Sequence, residues 1–178
     1  NHPSVKNTSI FVVPDGIQID PGVTRTPSDY GASRVAISDA HPVLMIGPTQ
    51  PLVVCGAPLH GDEGLIDLID AWPRVLDRFP KSRLWIVGDG KQGRQVWEHI
   101  QEKPLVHSVI MPGSFDDLHD ILQACDVYVH PLRSDESCGF LARAMVGGVC
   151  CVLTSTQSTG TIVENNVNGL VVGIDDPR

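Results

Sequence analysis

A chain of 178 residues that is 42% hydrophobic and 19% charged has the composition of one globular domain, large enough to bury a core. Its formal charge of -8 argues against the basic face that nucleic acid or an anionic membrane surface requires. No apolar run approaches the ~20 residues of a membrane span. No charged-then-apolar leader opens the chain, which begins at Asn1 rather than Met.

In chain order, a first apolar run at Ile10 to Val13 reads as a strand. Pro14 to Pro51 is rich in Pro, Gly, Ser, Thr and Asp, with one further apolar run, Val43 to Ile46. Residues 1–51 are therefore expected to be a loop-rich leading segment of the same domain. Within 52–178, short Val- and Ile-rich runs predict strands at Leu52 to Cys55, Leu84 to Val87, Ser108 to Met111, Val127 to His130, Cys150 to Leu153 and Leu170 to Val172. Continuous apolar runs of this length suit strands covered on both faces.

Helical periods lie between them. Leu65, Leu68, Ile69, Trp72, Leu76 and Phe79 share one face, with Asp62 as the expected cap and Pro73 as an expected bend. Leu118, Ile121, Leu122 and Cys125 make a second face, with Ser114 as its cap; Phe140, Leu141, Ala144 and Met145 make a third. Strand and helix in alternation predict an α/β fold: a Rossmann-like, doubly wound parallel sheet with helices on both faces.

The five cysteines include no Cys-x-x-Cys pair, so reduced thiols and a cytoplasmic setting are expected rather than a disulfide framework or a metal site. The seven histidines are scattered, and no pair has ligand spacing. There is no GxGxxG after a strand, no phosphate-loop lysine and no nucleophile elbow.

In an open α/β sheet, ligands bind beyond the carboxyl ends of the strands. Four segments fall there. Gly56 to Gly64 joins a strand to a helix N-terminus, where amides could meet a phosphate or simply form a connecting loop. His60 is the histidine in that loop placed to face a ligand. Gly88 to Gly90 is a tight turn whose Asp89 either contacts a ligand or caps a helix. Met111 to Ser114 offers backbone groups for a flat base edge, or an ordinary Pro-Gly turn. In the fourth, Ser134 to Gly139, Asp135 and Glu136 precede a helix; they either accept sugar hydroxyls or satisfy the helix N-terminus. His130, ending a strand, reads equally as an interior histidine or a site residue.

Taken in order, these segments resemble the C-terminal, donor-binding domain of a GT-B glycosyltransferase of the group 1, or family 4, type. The resemblance is carried by VPDGIQID (Val13 to Asp20), VVCGAPLHGDEGLIDLIDAW, FPKSRLWIVGDG, LQACDVYVHPLRSDESCGFLARAM and TGTIVENNVNGLVV, spanning about Ile10 to Asp176. It implies a nucleoside-diphosphate sugar as donor substrate, transfer with retention of configuration, no obligatory metal and no further cofactor. It also implies an acceptor domain of the same polypeptide, N-terminal to and absent from this chain, without which the isolated domain is expected to be inactive.

Carried over position by position, Glu136 matches the carboxylate that holds donor-sugar hydroxyls and is the catalytic candidate. Gly139 and Phe140 match positions whose amides approach sugar and phosphate. Met111 and Gly113 fall where the base edge is read, Gly56, Gly64 and Gly88 at the glycine turns, and Thr161, Ile162, Val163 and Glu164 further along the site. The sequence departs where the family places its diphosphate-binding arginine, here Ala57, its lysine, here Glu63, and a second glutamate, here Arg143. Arg133 and Arg143 are the candidate replacement cations. Those departures leave a second expectation open: a non-catalytic binding or assembly module with a degenerate donor site.

Overall fold

The structure is a computed structural model, and it describes residues 26–60, 64–115, 118–133 and 138–174. The expected strand at Ile10 to Val13 lies outside them. Six strands form one parallel sheet in the order β3-β2-β1-β4-β5-β6: β1 (Leu52–Gly56), β2 (Arg83–Val87), β3 (Val109–Gly113), β4 (Val127–His130), β5 (Cys150–Thr154) and β6 (Leu170–Val172). Every pairing is parallel; Val53 stands beside Leu84 on one side and Val127 on the other. All six match the predicted runs to within a residue or two. The chain winds outward from β1 to β3, returns to β4 beside β1, and winds outward again to β6. This is the doubly wound architecture expected.

Alternation along each strand divides the core in two. One face buries Leu52, Val54, Trp85, Tyr128, Cys151 and Leu153 against α1 (Pro27–Ala40), α4 (His119–Ala124) and α5 (Cys138–Val146). The other buries Cys55, Leu84, Ile86 and Val109 against α2 (Leu65–Arg78) and α3 (Gly93–Gln101). Right-handed crossovers dictate this split, because the direction of winding reverses at β4.

Several expectations are corrected. The leading segment is not loop throughout: α1 occupies fourteen of its residues, followed by a single 3-10 turn at Pro42–Leu44. A reciprocal capping box starts α1. The Thr26 hydroxyl accepts from the Asp29 amide at 3.2 Å, and the Asp29 carboxylate accepts from the Thr26 amide at 2.9 Å. Apolar periodicity misses this helix because its buried anchor is a charge, Arg34. The cap of α2 is Gly64 in the left-handed region, not Asp62, which lies outside the described residues. The residue capping α4 is Leu118, not Ser114. The α2 periodicity holds with Leu65, Ile69 and Trp72 buried and Pro73 inside the helix, but Phe79 lies exposed just past its end. The helix expected after Asp89, α3, is capped at Gln92 and not by Asp89, and the short α6 (Thr159–Ile162) was not foreseen.

All five cysteines are free thiols. Cys55, Cys125 and Cys151 are buried, whereas Cys150, on the other side of β5 from Cys151, is exposed. Among the described residues no helix is long and apolar enough to cross a membrane.

Candidate donor site

The carboxyl ends of β1 and β4 are neighbours, and the chains leaving them part to opposite faces of the sheet, one into α2 and the other into α5. A crevice at this switch point is the default ligand site of such a fold. The connections at this edge are joined backbone to backbone. The Ala57 amide donates to Val87, the Gly88 amide to Gly113, the Leu59 amide to Asp89 and the Gln92 amide to Leu59, each at 3.0 Å. The connections after β1, β2 and β3 are thereby tied into one layer.

Two glycines make that layer possible. Gly88 runs so close to the Ala57 carbonyl oxygen that a Cβ would collide with it. Gly64, with φ of 69°, is pressed in the same way against the Pro131 carbonyl oxygen, joining the start of α2 to the connection after β4. At the centre, the Tyr128 hydroxyl donates to the Gly56 carbonyl at 3.1 Å. A Cβ on Gly56 would lie 3.3 Å from both the Phe140 ring and the Tyr128 hydroxyl. Gly56 and Phe140, 84 residues apart, are thus brought together.

Other predicted residues are placed differently. Gly113, at φ 91°, and Gly139 both have open space where a Cβ would be, so their backbones are approachable. Met111 packs partly into the cluster under α2 and α3. Ala57 is fully buried and presents no side-chain atom to a ligand. Arg143 is exposed in the last turn of α5, away from the carboxyl edge where that helix begins. Thr161 and Glu164 are exposed, and Ile162 is 39% exposed. The Thr161 hydroxyl is spent on the Ser158 carbonyl, 2.7 Å away, and the Glu164 amide on the Asn168 side chain at 2.8 Å. His60 is exposed, its Nδ1 close over Gly90. Glu63, Asp135 and Glu136 lie outside the described residues.

Arg133 leaves the connection after β4 and reaches the first turn of α2, its Nη2 2.6 Å from Oδ2 of Asp67. The connection itself is pinned by Thr154, whose hydroxyl lies against the carbonyls of both His130 and Leu132. His130 is fully buried, stacked on Tyr128 with ring centroids 6.2 Å apart, and neither ring nitrogen has a hydrogen-bond partner. Burial pushes its pKa down to about 4, so it is neutral at physiological pH. The tertiary structure thus settles His130 as an interior histidine beneath the site. Asp67, Tyr128 and Thr154 were not singled out from sequence. Asp67 carries no local signal, since its role depends on a residue 66 positions away. Among the described residues no group of three or more His, Cys, Asp or Glu gathers as a metal site.

A doubly wound parallel sheet with helices on both faces defines a Rossmann-like α/β domain. The family model for glycosyl transferases group 1 matches residues 50–178, and the chain belongs to that family. It is 30% identical over 118 residues to the phosphatidyl-myo-inositol mannosyltransferase of Mycobacterium tuberculosis, covering 65% of this chain and 30% of that protein. It is 26% identical to the D-inositol 3-phosphate glycosyltransferase of Xylanimonas cellulosilytica, over 94% of this chain and 40% of that one. The chain therefore spans well under half the length of these curated relatives.

Among solved structures, the fold is shared with Anabaena HepE in complex with UDP and glucose, at TM-score 0.70 and 20% identity, over 86% of this chain and 42% of that one. A glycosyltransferase from Rickettsia africae is similar at TM-score 0.72 and 13% identity, again over 86% and 42%.

Proposed function

We propose that this chain is the donor-binding lobe of a glycosyltransferase and holds a nucleoside-diphosphate sugar at the β1–β4 crevice. The observation that carries the reading is the open backbone of Gly113 and Gly139 at the carboxyl edge of the sheet, in a chain of this family. Where side chains are absent, backbone N–H groups approach a ligand closely, and they recognise phosphate oxygens and base edges without needing charge. Retention of configuration, Glu136 as the carboxylate holding sugar hydroxyls, and an acceptor site on a second lobe of the same polypeptide complete the proposal. Catalysis at such a site is positioning plus stabilisation of the departing diphosphate.

The test is calorimetric titration with UDP-, GDP- and ADP-sugars, together with an assay for released nucleoside diphosphate. Weak binding of at least one donor, with no turnover by the chain alone, is expected. A panel that stays silent at millimolar ligand sinks the proposal.

A second reading, a non-catalytic module of the same descent, draws support from Ala57, which is fully buried and supplies no cation to a diphosphate. Under that reading Ala57→Arg, Glu63→Lys and Arg143→Glu made together create nucleotide-sugar binding that the parent lacks. Under the first, the parent already binds.

A further inference from the structure

We infer that the edge of the sheet where the strands begin carries a docking face for an anionic membrane surface, centred on Phe79 with Arg78 and Lys81. The inference is independent of the donor-site reading, which concerns the opposite, carboxyl edge.

The cations of this chain are unevenly spread. Residues 74–83 hold Arg74, Arg78, Lys81 and Arg83, four of the thirteen, against Asp77 alone of the twenty-one acids. This stretch is the end of α2, a tight turn and the first residue of β2. The Phe79 amide donates to the Val75 carbonyl at 2.7 Å and the Ser82 amide to the Phe79 carbonyl at 2.9 Å, so the turn is fixed by backbone. Phe79 is 59% exposed on it, and Arg78 and Lys81 are exposed on either side. Among the described residues neither of these two cations is held in an ion pair or a side-chain hydrogen bond.

The connection that leads into β3 lies alongside, since the Leu84 amide donates to the Ser108 carbonyl at 2.8 Å. It adds Val106, 41% exposed, and an exposed His107. Its Lys103 is already paired with Asp70. Asp77 and Glu102 are the exposed acids within these two segments.

Folding accounts for part of this arrangement, because a cation in the last turn of α2 complements the helix dipole. Lys81 lies beyond that helix, and Phe79 stands in water between the two cations. An apolar ring flanked by cations matches the boundary between lipid headgroups and acyl chains, where the ring leaves water and the cations stay with phosphates. Each Lys or Arg near an anionic leaflet raises affinity about five-fold. The overall charge of -8 does not oppose such a contact strongly. At physiological salt the Debye length is about 8 Å, so a planar surface touching one edge is screened from the more distant acids. A nucleic acid, as an extended polyanion, would run past the patch onto the acidic remainder, so the leaflet fits better. Docking by this edge leaves the carboxyl edge turned away from the membrane.

The test is co-sedimentation of the 178-residue chain with vesicles of phosphatidylcholine alone, or with about 30% phosphatidylglycerol added. Binding to the anionic vesicles only is expected, falling as salt rises from about 0.1 to about 0.5 M. Arg78→Glu with Lys81→Glu is expected to lower that affinity at least about ten-fold. Phe79→Ser is expected to lower it several-fold, and Phe79→Trp to gain a blue-shifted emission on anionic vesicles that the parent lacks. Lys91→Glu with Arg94→Glu changes the net charge equally after β2, at the other edge, and is expected to leave binding within about two-fold of the parent. Thermal melts show that each variant is folded.

Equal losses in the two charge-reversed pairs overturn the inference, because net charge rather than this edge then governs binding. A parent that ignores anionic vesicles at about 0.1 M salt overturns it as well. So does a labelled single strand of about 20 nucleotides that the parent binds through Arg78 and Lys81 while vesicles stay unbound. Silence of the sugar-nucleotide panel bears on none of these outcomes.

Discussion

His130 shows how one buried side chain gives the protein a pH dependence. The ring is neutral in the folded chain, with a pKa near 4, against about 6.5 when unfolded. Between those values the unfolded chain binds a proton that the folded chain refuses. Stability is therefore full above about pH 6.5 and falls as the pH drops toward 4, by up to about 3 kcal/mol. His130→Leu is expected to flatten this dependence, read as the difference between urea midpoints at about pH 7.5 and about pH 4.5. At the same scale, Gly64→Ala forces a Cβ into the Pro131 carbonyl at a positive φ, and a cost of about 2 kcal/mol or more is expected.

Among the elements, α1 is one that periodicity does not reveal, and it is held by a concentrated polar anchor. Arg34, 2% exposed, donates to the carbonyls of Ala124, Gly47 and Gln50 and to the Asp126 carboxylate at 2.8 Å. Asp126 also accepts from the Tyr30 hydroxyl and the Leu52 amide, tying α1 to the starts of β1 and β4. Removing the cation strands three carbonyls and a carboxylate, so Arg34→Met is expected to cost about 3–5 kcal/mol in denaturant unfolding. Thr26→Ala, which removes only the exposed cap, is expected to cost about 1 kcal/mol, seen first as faster amide exchange in the first turn of α1. The contrast separates a helix held by its tertiary anchor from one held by its own caps. Across α2 and α3, the Asp70 carboxylate meets His99 and Lys103 at 2.8 and 3.0 Å. Burial raises its pKa, but those bonds outweigh it and hold the group below the usual carboxylate range.

For the molecule as a whole, winding direction decides what is covered. The helices between β4, β5 and β6 lie by right-handedness on the same face as α1 and α4. Among the described residues this leaves the α2 face bare beyond β1. A groove of about 290 Å³ results, lined by Val53, Val127, Val129 and Val152 and flanked by Leu68 and Trp72 of α2. The folded chain is expected to bind the dye ANS at neutral pH, and Val152→Lys to reduce that fluorescence without lowering cooperativity of unfolding. An unchanged signal would place the dye elsewhere.

The strands, the glycine turns at their carboxyl ends and the family resemblance were legible in the sequence. A short buried strand is written in its own consecutive residues, and a tight turn in its own glycine. The chemistry of the site was legible as candidate positions, but not as partnerships. The pairing of Arg133 with Asp67, the fully buried setting of Ala57 and of His130, and the anchoring of α1 by Arg34 were decided by tertiary structure alone. Each joins residues tens of positions apart, through sheet order and the hand of the crossovers, and no local pattern encodes either.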